Sequence, residues 1–164
     1  MSPALLVLLA ALADESAGAQ AFKKLVAQVG TWQGAVQWSG ARTDSATMTV
    51  KYSLTGNGSA LVEDLIADGK VMMTSVYHLD GPDLRVTHYC AAQNQPRLKA
   101  TRIDLVRGVI DFDFVDATNL KPGGGHVHGV EIRLLGPDHS ILTFLFQAGD
   151  LQSRERIDLK RVSA

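Results

Sequence analysis

The sequence predicts an all-β protein, a single antiparallel up-and-down β-barrel of about nine or ten strands with a short N-terminal helix. Three observations predict it. After Val29 the apolar residues recur every second position instead of every third or fourth. Clusters of Gly, Asn, Asp and Pro interrupt this alternation at hairpin-length turns, at intervals of roughly 8–15 residues. No helix-period segment follows Val29, so an open meander would leave two unpaired edges, which closure removes. A two-sheet sandwich fits the same spacing and stands as the alternative.

The chain has 164 residues, 46% hydrophobic and 20% charged, enough for one core. Sixteen Lys and Arg face 17 Asp and Glu, so no strong field draws the chain to nucleic acid or anionic lipid. The basic residues are scattered, apart from a mild cluster at Arg154, Arg156, Lys160 and Arg161. Cys90 is the single cysteine, which excludes an intramolecular disulfide and reads as a small core hydrophobe.

Residues 5–13 form a nine-residue apolar run, too short for a span of about 20 residues. With Ala17-Gly18-Ala19 behind it as a cleavage site, it reads as a signal peptide over residues 1–19, leaving the barrel at 20–164. That predicts a secreted or periplasmic protein. No Lys or Arg precedes the run, so a retained helix and a cytoplasmic protein form the other expectation.

Phe22, Leu25, Val26 and Val29 make one apolar stripe on a helix over residues 20–29, with Gly30 at its C-terminal cap. Along residues 31–39, Trp32, Gly34, Val36 and Trp38 share a face. Along 45–54, Ala46, Met48, Val50, Tyr52 and Leu54 do so. Gly56-Asn57-Gly58 is a turn, and residues 59–67 form a strand with both faces mixed. Residues 71–97 hold a hairpin closed by Asp80-Gly81-Pro82-Asp83. If Leu79 faces Leu84 there, Ser75 faces His88, and Met73, Ser75, Tyr77, Leu84, Val86, His88 and Cys90 turn inward. Met72, Thr74, His78, Arg85, Thr87 and Tyr89 fall on the other face. Residues 98–106 have no clean side. Residues 108–115 set Ile110, Phe112 and Phe114 against Asp111 and Asp113. A glycine-rich loop over 119–125 follows, then strands over 126–135, 140–147 and 151–162.

A short helix running into Gly30-Thr31-Trp32 resembles the opening of lipocalin-like (calycin) barrels. The resemblance implies a tryptophan plugging the closed end and a basic residue of the last strand, Arg154, Arg156 or Arg161, packed over it. Gly30-Thr31-Trp32-Gln33-Gly34 also resembles, more weakly, the start of nitrobindin-type haem barrels. That likeness implies a haem-ligating histidine near the C-terminus, and no histidine follows His139, so haem is the less favoured cofactor. The whole chain is similar to bacterial lipocalin-like domains to which no function attaches.

His126 and His128 alternate with Val127 and share their face with Val130, Ile132 and Leu134, which predicts that both point inward, as does His88. Three such histidines could hold zinc and leave one position for water, with Tyr77, Ser75 and Asp64 behind them. The same side chains serve equally as polar anchors in an organic-ligand cavity. Gln93, Asn94, Gln95 and Arg97 on the loop after His88 add groups able to grip an anion.

The first expectation is therefore a binding module for a small, largely apolar molecule. Trp38, Tyr52, Tyr77 and Phe112, with Met48, Met73 and Phe114, supply bulk, and His88, His128 and Arg97 supply anchors. The second is a zinc-dependent enzyme built on His88, His126 and His128. The third is an interaction protein without a pocket.

Overall fold

A computed structural model describes residues 15–163. The apolar run at 5–13, on which the signal-peptide expectation rests, lies outside the described residues. Helix α1 (Ala17–Val26) begins before residue 20 because Ser16 caps it, its hydroxyl accepting from the Ala19 N–H at 3.1 Å. The helix ends at Val26, short of the expected Gly30 cap. Its last carbonyls are taken by tightening turns, Gln28 N–H to Leu25 O at 2.8 Å and Val29 N–H to Val26 O at 3.1 Å.

Ten antiparallel strands follow: β1 (Gly30–Gly40), β2 (Asp44–Thr55), β3 (Ala60–Ala67), β4 (Lys70–Asp80), β5 (Asp83–Tyr89), β6 (Gln95–Asp104), β7 (Val109–Thr118), β8 (His126–Gly136), β9 (His139–Ala148) and β10 (Leu151–Ser163). Each pairs with its sequence neighbour, and β10 returns to pair with β1, so the sheet closes into one barrel and the sandwich is excluded. The β4–β5 hairpin has the register the turn chemistry predicts, with Leu79 opposite Leu84 and Ser75 opposite His88.

Among the described residues six register shifts interrupt the ladders, where side chains are re-aimed. Two lie in the β6–β7 ladder, at Arg97/Leu98 and Ala100/Arg102, which is why residues 98–106 show no clean face. One lies in the β3–β4 ladder, where Leu65 pairs with Met73 and Ile66 with Val71, leaving Met72 as the extra residue. Two lie in the β8–β9 ladder, between Val127 and Gly129 and between Leu134 and Gly136, and one in the β1–β10 ladder between Thr31 and Trp32.

Helix α1 packs against β4, β5 and β6 and buries Ala21, Phe22 and Leu25 in the core. Gly18 leaves no room for a Cβ against the Pro82 carbonyl, and the Ser16 hydroxyl donates to that same oxygen at 3.2 Å. The helix is thus seated on the β4–β5 turn. Nearby, the guanidinium of Arg161 lies 4.3 Å over the ring of Trp32. It donates to the Val29 carbonyl at 2.7 Å and the Ala27 carbonyl at 2.9 Å, fixing the helix exit. Of the three candidate arginines, Arg161 is the one that covers the tryptophan. Trp32, Tyr52, Leu61, Tyr77, Leu84, Leu98, Ile110, Phe112, Ile132, Leu142, Ile157 and Leu159 are all buried, and pack the helix-proximal part of the interior.

Candidate functional site

A row of polar side chains crosses the barrel interior on four consecutive strands. Tyr52 on β2 is the register partner of Glu63 on β3, Glu63 of Ser75 on β4, and Ser75 of His88 on β5. All four are buried, Glu63 and His88 with 0% exposure. One carboxylate oxygen of Glu63 accepts from the Tyr52 hydroxyl at 2.8 Å and the Tyr77 hydroxyl at 3.0 Å. Its other oxygen has no protein partner. Burial pushes the Glu63 carboxyl up to about 7, against the opposing pull of the Tyr52 and Tyr77 hydrogen bonds and the nearby Ser75 hydroxyl. Burial and the Glu63 charge raise both tyrosines well above their ordinary range, so they keep their protons and donate. At the far end of the row, Ser75 Oγ lies 2.9 Å from His88 Nδ1. Burial lowers His88 to about 4, so the ring is neutral at physiological pH.

Above this row, at the end of the barrel away from α1, the interior opens into a cavity of about 410 Å³. Its walls are Val36 and Trp38 of β1, Ala46 and Met48 of β2, Met72 and Met73 of β4, Cys90 after β5, Val127 of β8, and Phe144 and Phe146 of β9. Met73 and Cys90 sit two residues along their strands from Ser75 and His88, so the polar row lies just beneath the floor. The His88 ring packs on Phe144, centroids 5.0 Å apart. Two charged residues reach the cavity, Arg42 and Glu155. Arg42 stacks 4.2 Å over the Trp38 ring and pairs with Asp44 at 3.0 Å. Glu155 on β10 is only 5% exposed, and burial pushes its carboxyl up to about 7 although Arg42 and the Trp38 indole pull it down. The Cys90 thiol is raised by burial, which leaves it protonated and a poor nucleophile.

The residues expected from sequence divide into three groups. Trp38 lines the cavity, with Met48 and Met73. Tyr52, Tyr77, His88 and Phe112 are inside the barrel but buried beneath the cavity, Phe112 edge-on to Tyr77 at 5.8 Å. Arg97 and His128 are exposed and do not join the interior. Arg97 forms a two-pronged pair with Asp116 on the neighbouring strand, the second contact at 2.7 Å.

The three-histidine set does not assemble. The β8 bulge places Val127 opposite Phe146 and Val130 opposite Phe144, both inward, and leaves His128 exposed between them. His126 is half-buried at the end of the glycine loop, its Nε2 3.2 Å from His128 Nδ1, and both rings pack on Phe114. His88 stays inside. Among the described residues no group of three His, Cys, Asp or Glu side chains is placed to hold a metal ion. Asp64 also faces away from the row, accepting from the Thr74 hydroxyl at 2.7 Å.

Glu63 and Glu155 are the interior groups that sequence reasoning missed. Both carry a period-2 signal: Glu63 alternates with Leu61 and Leu65, and Glu155 with Ile157 and Leu159. Their charge hides it.

No family model matches the chain, and no curated protein matches it. Among solved structures it is similar to a protein of unknown function of the DUF3598 family from Nostoc punctiforme, with a TM-score of 0.59 at 15% identity. That alignment covers 84% of this chain and 48% of the other, so this chain spans about half of that protein's length. It is also similar to Rv2717c from M. tuberculosis, with a TM-score of 0.55 at 18% identity over 86% of this chain and 96% of the other. At such identities the likeness is one of fold: a closed, ten-stranded antiparallel barrel. Among the described residues no helix is long and apolar enough to cross a membrane.

Proposed function

We propose that the protein binds one small, largely apolar molecule in the cavity at the end of the barrel opposite α1. The observation that carries this reading is the cavity itself, about 410 Å³ and walled almost wholly by apolar side chains. That volume falls in the range of small-molecule sites, roughly 300–1,000 Å³, and the packed barrel beneath gives it a rigid base. Met48, Met72 and Met73 add an adaptable wall suited to ligands of varied shape.

The test is a titration of the purified chain with an apolar dye, 1-aminoanthracene, read by dye emission. The wild type is expected to show one saturable site. Ala46→Phe, at the exposed lip of the cavity, is expected to weaken it by about tenfold while the melting temperature holds. Absence of saturable binding in the wild type, or equal binding in the variant, rejects the reading.

A further inference from the structure

We infer that Glu155 makes this cavity selective for apolar molecules carrying a protonated amine. The inference rests on the ligand-binding reading above and names the ligand class. Glu155 is a carboxylate 5% exposed, on the wall of an otherwise apolar cavity, and among the described residues it forms no ion pair. Among the described residues the one cation lining the cavity is Arg42, held by Asp44 at 3.0 Å and by the Trp38 ring at 4.2 Å. A buried carboxylate that has only the Trp38 indole and the more distant Arg42 guanidinium beside it is costly, and a ligand that brings a cation into contact recovers part of that cost. An ammonium group placed at Glu155 gains a charge-assisted hydrogen bond in a water-poor setting, while its hydrocarbon body meets Val36, Met48, Met73 and Phe144. A carboxylate head at the same place meets like charge and is rejected. Trp38, which lines the same cavity and already carries Arg42 stacked 4.2 Å over its ring, adds an aromatic surface beside the cation.

The pH dependence follows from the groups that face Glu155. These are the Arg42 guanidinium and the Cys90 thiol, which burial raises and keeps protonated. Glu155 ionises across about 7, so the amine advantage grows as pH rises through that value. Glu63, deeper in the barrel, titrates over the same range, and the variant at Glu155 separates the two.

Decylamine, 1-decanol and decanoate, each below its micellar concentration, are titrated into the full chain at pH 8 and followed by tryptophan emission. The amine is expected to bind roughly tenfold or more tightly than the alcohol, and decanoate more weakly than the alcohol. Glu155→Gln is expected to bring the amine to within about threefold of the alcohol and to leave the alcohol unchanged. The same loss is expected of the wild type at pH 5.5. Alcohol binding with no amine preference, or a preference that survives Glu155→Gln, overturns the inference and leaves the cavity reading standing. If none of the three probes binds saturably, the cavity reading fails and the inference falls with it.

Discussion

Ser75 Oγ and His88 Nδ1 meet at 2.9 Å across the β4–β5 ladder, and the other ring nitrogen of His88 has no protein partner. The pair is a product of register: the turn at Asp80–Asp83 places the two residues opposite one another, and the pleat turns both inward. What the ring gains on one side is a single hydrogen bond, which is too little to keep an imidazolium in a fully buried place.

His88 should therefore make the fold acid-labile. Its folded value is about 4, below the ordinary 6.5, so the folded state binds fewer protons than the unfolded chain between those values. The stability it confers is complete above about 6.5 and is lost as pH falls towards 4, about 3 kcal/mol in all. Replacing His88 by Leu removes the titration. Urea unfolding should then show the variant gaining about 2–3 kcal/mol on the wild type between pH 7.5 and pH 4.5. Parallel loss of stability in both proteins would mean that the ring is not buried in its neutral form.

Glu63 should tilt the curve the other way. Its carboxyl is raised from 4.5 to about 7, so the folded state binds more protons across that window and stability falls as pH rises through it. Glu63→Gln keeps an acceptor for Tyr52 and Tyr77 and takes away the charge. Relative to the wild type, the variant is expected to gain about 2–3 kcal/mol between pH 5 and pH 7.5. Because His88 and Glu63 oppose each other over most of this range, the wild-type curve should be flatter than that of either variant. A Glu63→Gln curve parallel to the wild type would show that this carboxyl is not raised.

Arg161 joins three parts of the closed end: it covers Trp32, holds the Ala27 and Val29 carbonyls, and takes the Pro137 carbonyl at 3.0 Å. Arg161→Ala should cost about 2–4 kcal/mol and shift Trp32 emission to the red, since hydrogen bonds from a charged donor each contribute about 1.5–3 kcal/mol where water is excluded. Lys, a point donor without the planar fork, should recover less than half. A melting temperature unchanged in the Ala variant would show that the contacts are ornamental to stability.

The barrel itself was legible because its signals are local. Trp32, Val36, Val50 and Tyr52 alternate with polar neighbours, and the turn residues sit where the hairpins need them. The interior of β4 and β5 was legible for the same reason. The histidine face was not, because the register shift between Val127 and Gly129 breaks the alternation, so His126 and His128 do not share the inward side of Val130 and Ile132. Gly129, inside a strand, was the available hint. Glu63 and Glu155 were obscured by a different cause: alternation is usually read from apolar residues, and a buried acid scores as a surface one. Where Glu63 ended up was decided by the hydroxyls of Tyr52 and Tyr77, partners from two other strands, one of them 14 residues away in sequence. The helix starts at Ala17, ahead of the apolar stripe from which it was read, because the Ser16 cap precedes that stripe.

The β1–β10 ladder, in which Thr31 lies opposite Ser163 and Gly40 opposite Ser153, also sets a timetable. Nine strands can zip one after another by short loops, each closure costing little entropy, but the last seam joins the first strand to the final one made. Until β10 is synthesised and docked, β1 and β9 are open strips of unpaired backbone in a nascent chain, the form most exposed to sticking to a copy of itself. The same late strand carries Arg161 and Glu155, so sealing the sheet, latching the closed end and arming the cavity wall are one event.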